Sequence, residues 1–143
     1  MEEPLPDDWR EAISMIARRE YETLLRHPWM ADLATRPRVG PNALRHGEQS
    51  LAALSRLDIG MKDAAKVVMA VDHYMTGYFV RGRLLRARGD DTDDQSEPYM
   101  HDMLATGSYP RLQRAHKEGM DDQEPFEQGL AWLLDGIERE YRG

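Results

Sequence analysis

The stretch Leu25-Arg-His-Pro-Trp-Met-Ala-Asp-Leu-Ala-Thr-Arg-Pro-Arg-Val-Gly-Pro-Asn-Ala-Leu-Arg45 decides the fold. Pro28 crowds the backbone before it and disfavours a helical His27. A helix arriving from the N-terminal side therefore stops at about Arg26. Pro28 itself suits a first helical turn, where no amide hydrogen is needed, and predicts a short helix through about Thr35. Pro37, Gly40 and Pro41 then form a rigid corner, and a further helix runs from about Pro41 to Leu57. Helix, corner, helix, with no strand-like alternation between them, points to an all-α chain.

The flanks extend the pattern. Asp8-Trp-Arg-Glu11 reads as a capping box, and Ile13, Ile16, Ala17, Tyr21, Leu24 and Leu25 follow at helical spacing. Leu44, Leu51, Leu54 and Leu57 form the apolar side of the helix after the corner, and Ile59-Gly60 breaks it. The helix expected from Met61 to Arg88 is apolar almost all round between Ala64 and Val80. A one-sided surface helix would show a single stripe. This one is therefore either central or covered on its second face by another subunit. The acidic segment Gly89 to Glu97 reads as a mobile loop. Pro98 opens a short helix with Tyr99, Met100, Met103 and Leu104. Ser108 and Pro110 start another, to about Lys117, and Gly119 to Glu124 reads as loop. Pro125 opens the last helix, on which Phe126, Leu130, Leu133, Leu134, Ile137 and Tyr141 make one stripe. The expectation is about seven helices in a single domain, residues 1–143.

Composition fits an ordinary globular domain: 41% hydrophobic and 31% charged residues, with formal net charge −7. With no cysteine, disulfides, thiolate zinc sites and cysteine nucleophiles are excluded. No apolar run reaches the roughly 20 residues of a membrane span, and the acidic N-terminus is unlike a signal peptide. A cytoplasmic location and no membrane partner are expected. Arg81, Arg83, Arg86 and Arg88 are the densest basic cluster, and suit the C-terminal end of a long helix, where cations complement the dipole.

Taken in order, several short words span nearly the whole chain. They are Trp9, His27-Pro28-Trp29, Gly40-Pro41-Asn42-Ala43-Leu44, Glu48 with Leu51, Ile59-Gly60 with Asp63-Ala64-Ala65, and Tyr74 with Thr76-Gly77-Tyr78. Tyr109-Pro110-Arg111-Leu112, Phe126-Glu127-Gln128-Gly129-Leu130 and Leu133-Leu134-Asp135-Gly136-Ile137-Glu138 complete the set. Together they resemble the C-terminal domain of TetR-type transcriptional repressors. The resemblance implies a small-molecule (effector) binding and homodimerisation domain. It also implies a four-helix bundle in which the helix from Met61 to Arg88 and the helix from Phe126 to Tyr141 pair with their symmetry mates. Gly77, Gly82, Gly129 and Gly136 would then mark close helix approach. Such repressors carry a helix-turn-helix upstream, and this chain is expected to start too late to contain one. It would thus bind no nucleic acid by itself.

The effector site implied by the resemblance lies inside the bundle. Polar candidates on otherwise apolar helices are Asn42, His46 and Gln49 after the corner, and Asp72, His73 and Thr76 on the long helix. Apolar candidates are Met15, Ile16, Trp29, Met30, Met69, Met103 and Trp132, and nine methionines suit an adaptable pocket for a bulky hydrophobic ligand. Asn42 could instead cap its helix. The tetracycline repressor itself holds a magnesium–drug chelate through a histidine on the short helix before the corner. The matching stretch here, Asp32-Leu33-Ala34-Thr35, has none, and Ser14-Met15-Ile16-Ala17 lacks its drug-contacting asparagine. Tetracycline–magnesium is therefore not the expected ligand, and no cofactor, metal or catalytic residue is assigned.

Enzymatic readings are thin. Glu97 and His101 are four apart without a His-Glu-x-x-His motif, His101-Asp102 lacks further metal-ligating partners in sequence, and no Gly-x-Ser-x-Gly elbow is present. Two alternatives stand beside the regulator. One is a stand-alone relative that sequesters a hydrophobic metabolite or drug. The other is an enzyme that reuses the pocket for a cyclisation or isomerisation, where orientation alone can accelerate reaction.

Overall fold

A computed structural model describes residues 4–30, 32, 36, 40–89, 93–120 and 125–142, the side chain of residue 88 excepted. Among the described residues there are six α-helices and no strand: α1 (Trp9–Arg26), α2 (Pro41–Leu54), α3 (Met61–Gly89), α4 (Ser96–Ala105), α5 (Pro110–Lys117) and α6 (Phe126–Arg142). The all-α expectation holds. The expected short helix from Pro28 opens as a 3-10 turn, Pro28–Met30, and Asp32 is helical. The expected continuation to Thr35 falls on residues 31 and 33–35, outside the described set, as do Pro37 and residues 90–92 and 121–124. The chain divides into two compact units, one of Met1–Arg81 with Phe126–Gly143 and one of Gly82–Pro125.

In the first unit, local chemistry sets the helix ends. The Asp8 side chain accepts from the Glu11 amide at 3.0 Å, which satisfies one of the orphan donors of α1. His27, barred from helix by Pro28, turns out at φ −128°, ψ 69°. Gly40 precedes α2 with Pro41 at its first position and no side-chain cap, so Asn42 does not cap this helix. α2 ends three residues earlier than expected, because Ser55–Leu57 tightens into a 3-10 turn. The chain then reverses at Asp58, whose φ of 52° lies in the left-handed region that Asp tolerates. The break was expected at Ile59-Gly60. Gly60 instead leads into α3, its carbonyl accepting from Asp63 and Ala64 at 3.0 and 2.9 Å.

The core joins Trp9, Ile13, Ala17 and Leu24 of α1 to Leu54 and Leu57, to Ala64, Val67, Val71, Met75 and Phe79 of α3, and to Phe126, Leu130 and Leu134 of α6. An aromatic group closes it: Tyr21 stacks on Phe126 at 4.7 Å between ring centroids and meets Phe79 edge-on at 6.3 Å. The buried residues of α3 recur every three or four positions, which is one stripe. Met69 and His73 lie outside that stripe and are exposed, so the all-round apolar character of α3 is not spent within this unit.

Of the four glycines expected at close helix approaches, Gly129 occupies one within the single chain. A Cβ there would meet the hydroxyl of Tyr74 and come within 2.9 Å of its ring. Tyr74 cannot easily yield: its hydroxyl donates to the Phe126 carbonyl at 2.8 Å and its ring stacks on Phe126. Burial pushes the Tyr74 phenol above its ordinary pKa and keeps it a donor. Gly77 and Gly136 have open space, and Gly82 meets only the end of the Arg86 side chain. Gly129→Ala is therefore expected to cost about 1–3 kcal/mol by overpacking, offset by up to about 1 kcal/mol of helix propensity. Gly136→Ala gains that propensity without the clash. Urea titration of the two variants should separate them in sign, and equal effects would contradict the close approach.

Ion pairs tie α1 to α6. Arg10 pairs with Asp135 and with Glu138 at 3.3 Å, and Arg18 makes a bidentate contact with Glu127 at 2.7 and 2.8 Å. The Arg18 hydrogen bond holds the Glu127 carboxyl below its usual range. A depressed carboxylate stabilises the fold above its unfolded pKa, and that contribution is lost as pH falls through the folded value. Both side chains are about half exposed, so screening limits the pair to about 0.2–1 kcal/mol. Glu127→Gln should cost this much at neutral pH and nothing once Glu127 is protonated, as denaturation at the two pH values would show.

The second unit is built by the end of α3 with α4 and α5. Asp94 accepts from the Ser96 amide and hydroxyl at 2.9 and 2.6 Å. α4 therefore begins at Ser96, two residues before the expected Pro98, which still falls in the first turn where its missing amide hydrogen is harmless. Gly107 and Gly119, at φ 77° and 85°, follow α4 and α5 in the left-handed conformation common after helix ends.

Candidate functional site

Three helices of the first unit carry polar residues on apolar faces. On α1, Glu20 continues the row of Ile13, Ile16 and Ala17. On α2, His46 and Ser50 precede Leu54 at intervals of four. On α3, Asp72 lies four residues after Val68. The fold brings these rows together. His46 Nε2 lies 3.2 Å from Asp72 Oδ1 and 3.4 Å from Glu20 Oε2. The Glu20 and His46 side chains are 18% and 26% exposed, which shields the group from bulk water, and Asp72 at 40% forms its outer edge.

Beside this cluster lies a cavity of about 10 Å³, lined by Ile13, Ile16, Ala17, Glu20, Ser50, Val68, Val71, Asp72 and Met75. It has room for a single water. Drug-sized ligands need roughly 300–1,000 Å³, so these helices, as they stand, do not enclose a bulky molecule.

The residues expected to line a site separate into groups. Ile16, His46 and Asp72 meet at the cavity and its cluster. Met15, Met30 and Thr76 are half-buried, and Met30 packs on the core. Asn42 and Gln49 are exposed on α2, and Trp29 is exposed after α1. Met69, His73 and Trp132 lie on exposed positions of α3 and α6. Met103 is half-buried in the second unit. Glu20 and Ser50 were not singled out from sequence. A carboxylate on the apolar row of α1 was the available signal.

A second concave feature lies between α3 and α6. A groove of about 390 Å³ is lined by Lys66, Val67 and Ala70 from α3 and by Trp132, Leu133, Gly136, Ile137, Glu140 and Tyr141 from α6. It is open, mostly apolar, and its Trp132 is 65% exposed. Gly136 forms part of its floor with nothing within 4 Å of a Cβ. Lys66 and Glu140 place opposite charges on its two sides, Lys66 also pairing with Asp63 at 2.9 Å. No described helix is long and apolar enough to cross a membrane.

Comparison with known proteins gives a consistent set of matches. The family model described as tetracyclin repressor-like, C-terminal domain, matches residues 3–141. An HTH-type transcriptional regulator of Saccharopolyspora erythraea is 33% identical over 131 residues, covering 90% of this chain and 55% of that protein. An HTH-type transcriptional repressor of Mycobacterium tuberculosis is 29% identical over 137 residues, covering 90% of this chain and 52% of that protein. Among solved structures, a possible TetR family transcriptional regulator from Streptomyces coelicolor A3(2) superposes with a TM-score of 0.75 at 28% identity. That match covers 92% of this chain and 65% of the other. The chain thus spans about half the length of the curated relatives it matches.

Proposed function

The chain belongs to the family of tetracyclin repressor-like C-terminal domains, and from that premise we propose that it is the dimer-forming, effector-binding part of a transcriptional regulator. The observation that carries this reading is the groove between α3 and α6, with exposed Trp132 and open Gly136 side by side on an apolar face. Apolar patches of this kind mark interaction sites. A two-fold axis over the groove would bring α3 and α6 against their own copies and bury Trp132 in an isologous contact. It would also set Lys66 of one subunit near Glu140 of either. Analytical ultracentrifugation at micromolar concentration tests the assembly, and a monomer there would overturn it.

The effector is proposed to enter among α1, α2 and α3, at the cavity beside Glu20, His46 and Asp72. Because that cavity has room for a single water, a bulky hydrophobic ligand would bind only a state in which these helices have moved apart. Binding would then shift the population toward that state. A closed interior supports a switch for this reason. The ligand's differential affinity for the opened state becomes work on the helices. Native mass spectrometry of the protein after exposure to host extract reads a retained small molecule as added mass. Residues 1–143 are taken as one functional domain, since the family match runs through both compact units.

A further inference from the structure

We propose that Glu20, His46 and Asp72 form a binding site for one divalent d-block cation, Zn²⁺ foremost, with a water in the adjoining cavity as its fourth ligand. The inference rests on the geometry of these side chains and of the cavity beside them, and its test reads metal binding directly, apart from dimerisation. One ligand atom from each residue lies within 4.8 Å of the other two. A tetrahedral ion about 2.0–2.1 Å from its ligands sets them about 3.3–3.4 Å apart. The separations of His46 Nε2 from Asp72 and Glu20, 3.2 and 3.4 Å, are already close to such edges. The third edge, Glu20 to Asp72, is within 4.8 Å and would close on the ion as it binds.

The cavity is the second observation. Glu20 and Asp72 both line it, so it adjoins two of the three ligands, and its size is that of one water. Ser50, 2% exposed, lines the same space and offers a hydroxyl to that water. Charge also balances: two carboxylates and a neutral imidazole bring −2 to a +2 ion. The imidazole selects the class of metal. Mg²⁺ and Ca²⁺ take oxygen ligands in six- to eight-fold shells, whereas a His with two carboxylates suits Zn²⁺, Co²⁺ or Ni²⁺. The three ligands come from three helices, so the ion would cross-link α1, α2 and α3.

The test uses the intact 143-residue protein, stripped with a chelator and titrated with Co²⁺ and then Zn²⁺. The expected result is one Co²⁺ per chain with the intense visible absorption of a low-coordinate site, displaced by Zn²⁺, and a Zn²⁺-dependent rise in melting temperature. His46→Gln should weaken Co²⁺ binding by at least about 100-fold, and Asp72→Asn should weaken it as well. His101→Gln, which removes an exposed histidine of the second unit, should leave the spectrum unchanged. Failure of the unmodified protein to bind Co²⁺ or Zn²⁺ below millimolar concentration overturns the site, whatever the variants do. So does a spectrum that survives in folded His46→Gln and disappears in His101→Gln.

Discussion

Phe79→Ala is expected to lower the free energy of unfolding by about 3–5 kcal/mol, the range for truncating a large buried aromatic. Phe79 is 2% exposed and packs edge-on against Tyr21, which in turn stacks on Phe126. Its ring therefore stands where α1, α3 and α6 meet. Removing it leaves a cavity at the junction of the three helices, two of which, α1 and α6, are also tied by the Arg10 and Arg18 ion pairs. At about 2–4 °C per kcal/mol for a domain of this size, the melting temperature should fall by roughly 6–20 °C. Met69→Ala, on the same helix but 57% exposed, is the internal comparison and should cost no more than about 0.5 kcal/mol. Denaturant titration of the two variants distinguishes them. A cost below 1 kcal/mol for Phe79→Ala would mean that this junction is not the centre of the core.

The contrast between Phe79 and Met69 also shows what could be read in the sequence. Both sit in an apolar run, and spacing alone does not say which side of a helix that is apolar all round meets its own unit. The helices themselves were legible because their punctuation is chemical: Asp8 before α1, Pro28 after it, Gly40-Pro41 before α2. Where punctuation was ambiguous the boundaries moved, as at Asp58, where a residue other than glycine took the left-handed turn. The site was less legible. His46 and Asp72 stood out as polar residues on apolar helices. Glu20 obeyed the same rule, yet it lies in the charged run Arg18-Arg19-Glu20, where a carboxylate looks like solvated surface. Only the helical register, carried from Ile13 and Ile16, puts it inward. Trp132, an aromatic on an amphipathic helix, suggested a wall of the interior pocket, and the structure puts it instead on the open groove between α3 and α6. Gly136 shares that face with room for a side chain, so its chemistry is that of an unfilled contact rather than a tight one.

Trp132→Glu is expected to convert the proposed dimer to monomer while leaving the fold intact. Two-fold symmetry puts the substitution into the interface twice. A buried interface tryptophan contributes about 2 kcal/mol or more, so two copies amount to about 4 kcal/mol, or roughly a thousand-fold in Kd. Adding a carboxylate to each side of an apolar contact adds desolvation to that loss. The monomer's own stability should change little, because the indole is 65% exposed there and exposed substitutions cost about 0.5 kcal/mol or less. Leu134→Ala, two positions along α6 and 1% exposed, has the opposite signature: about 2–5 kcal/mol of fold stability. Sedimentation velocity across a concentration series, paired with urea titration on the same samples, reads both quantities. If Trp132→Glu sediments as the unmodified protein does at every concentration, the groove between α3 and α6 is not the dimer face. If it unfolds instead, the indole supports the subunit itself, and the open groove has been misjudged.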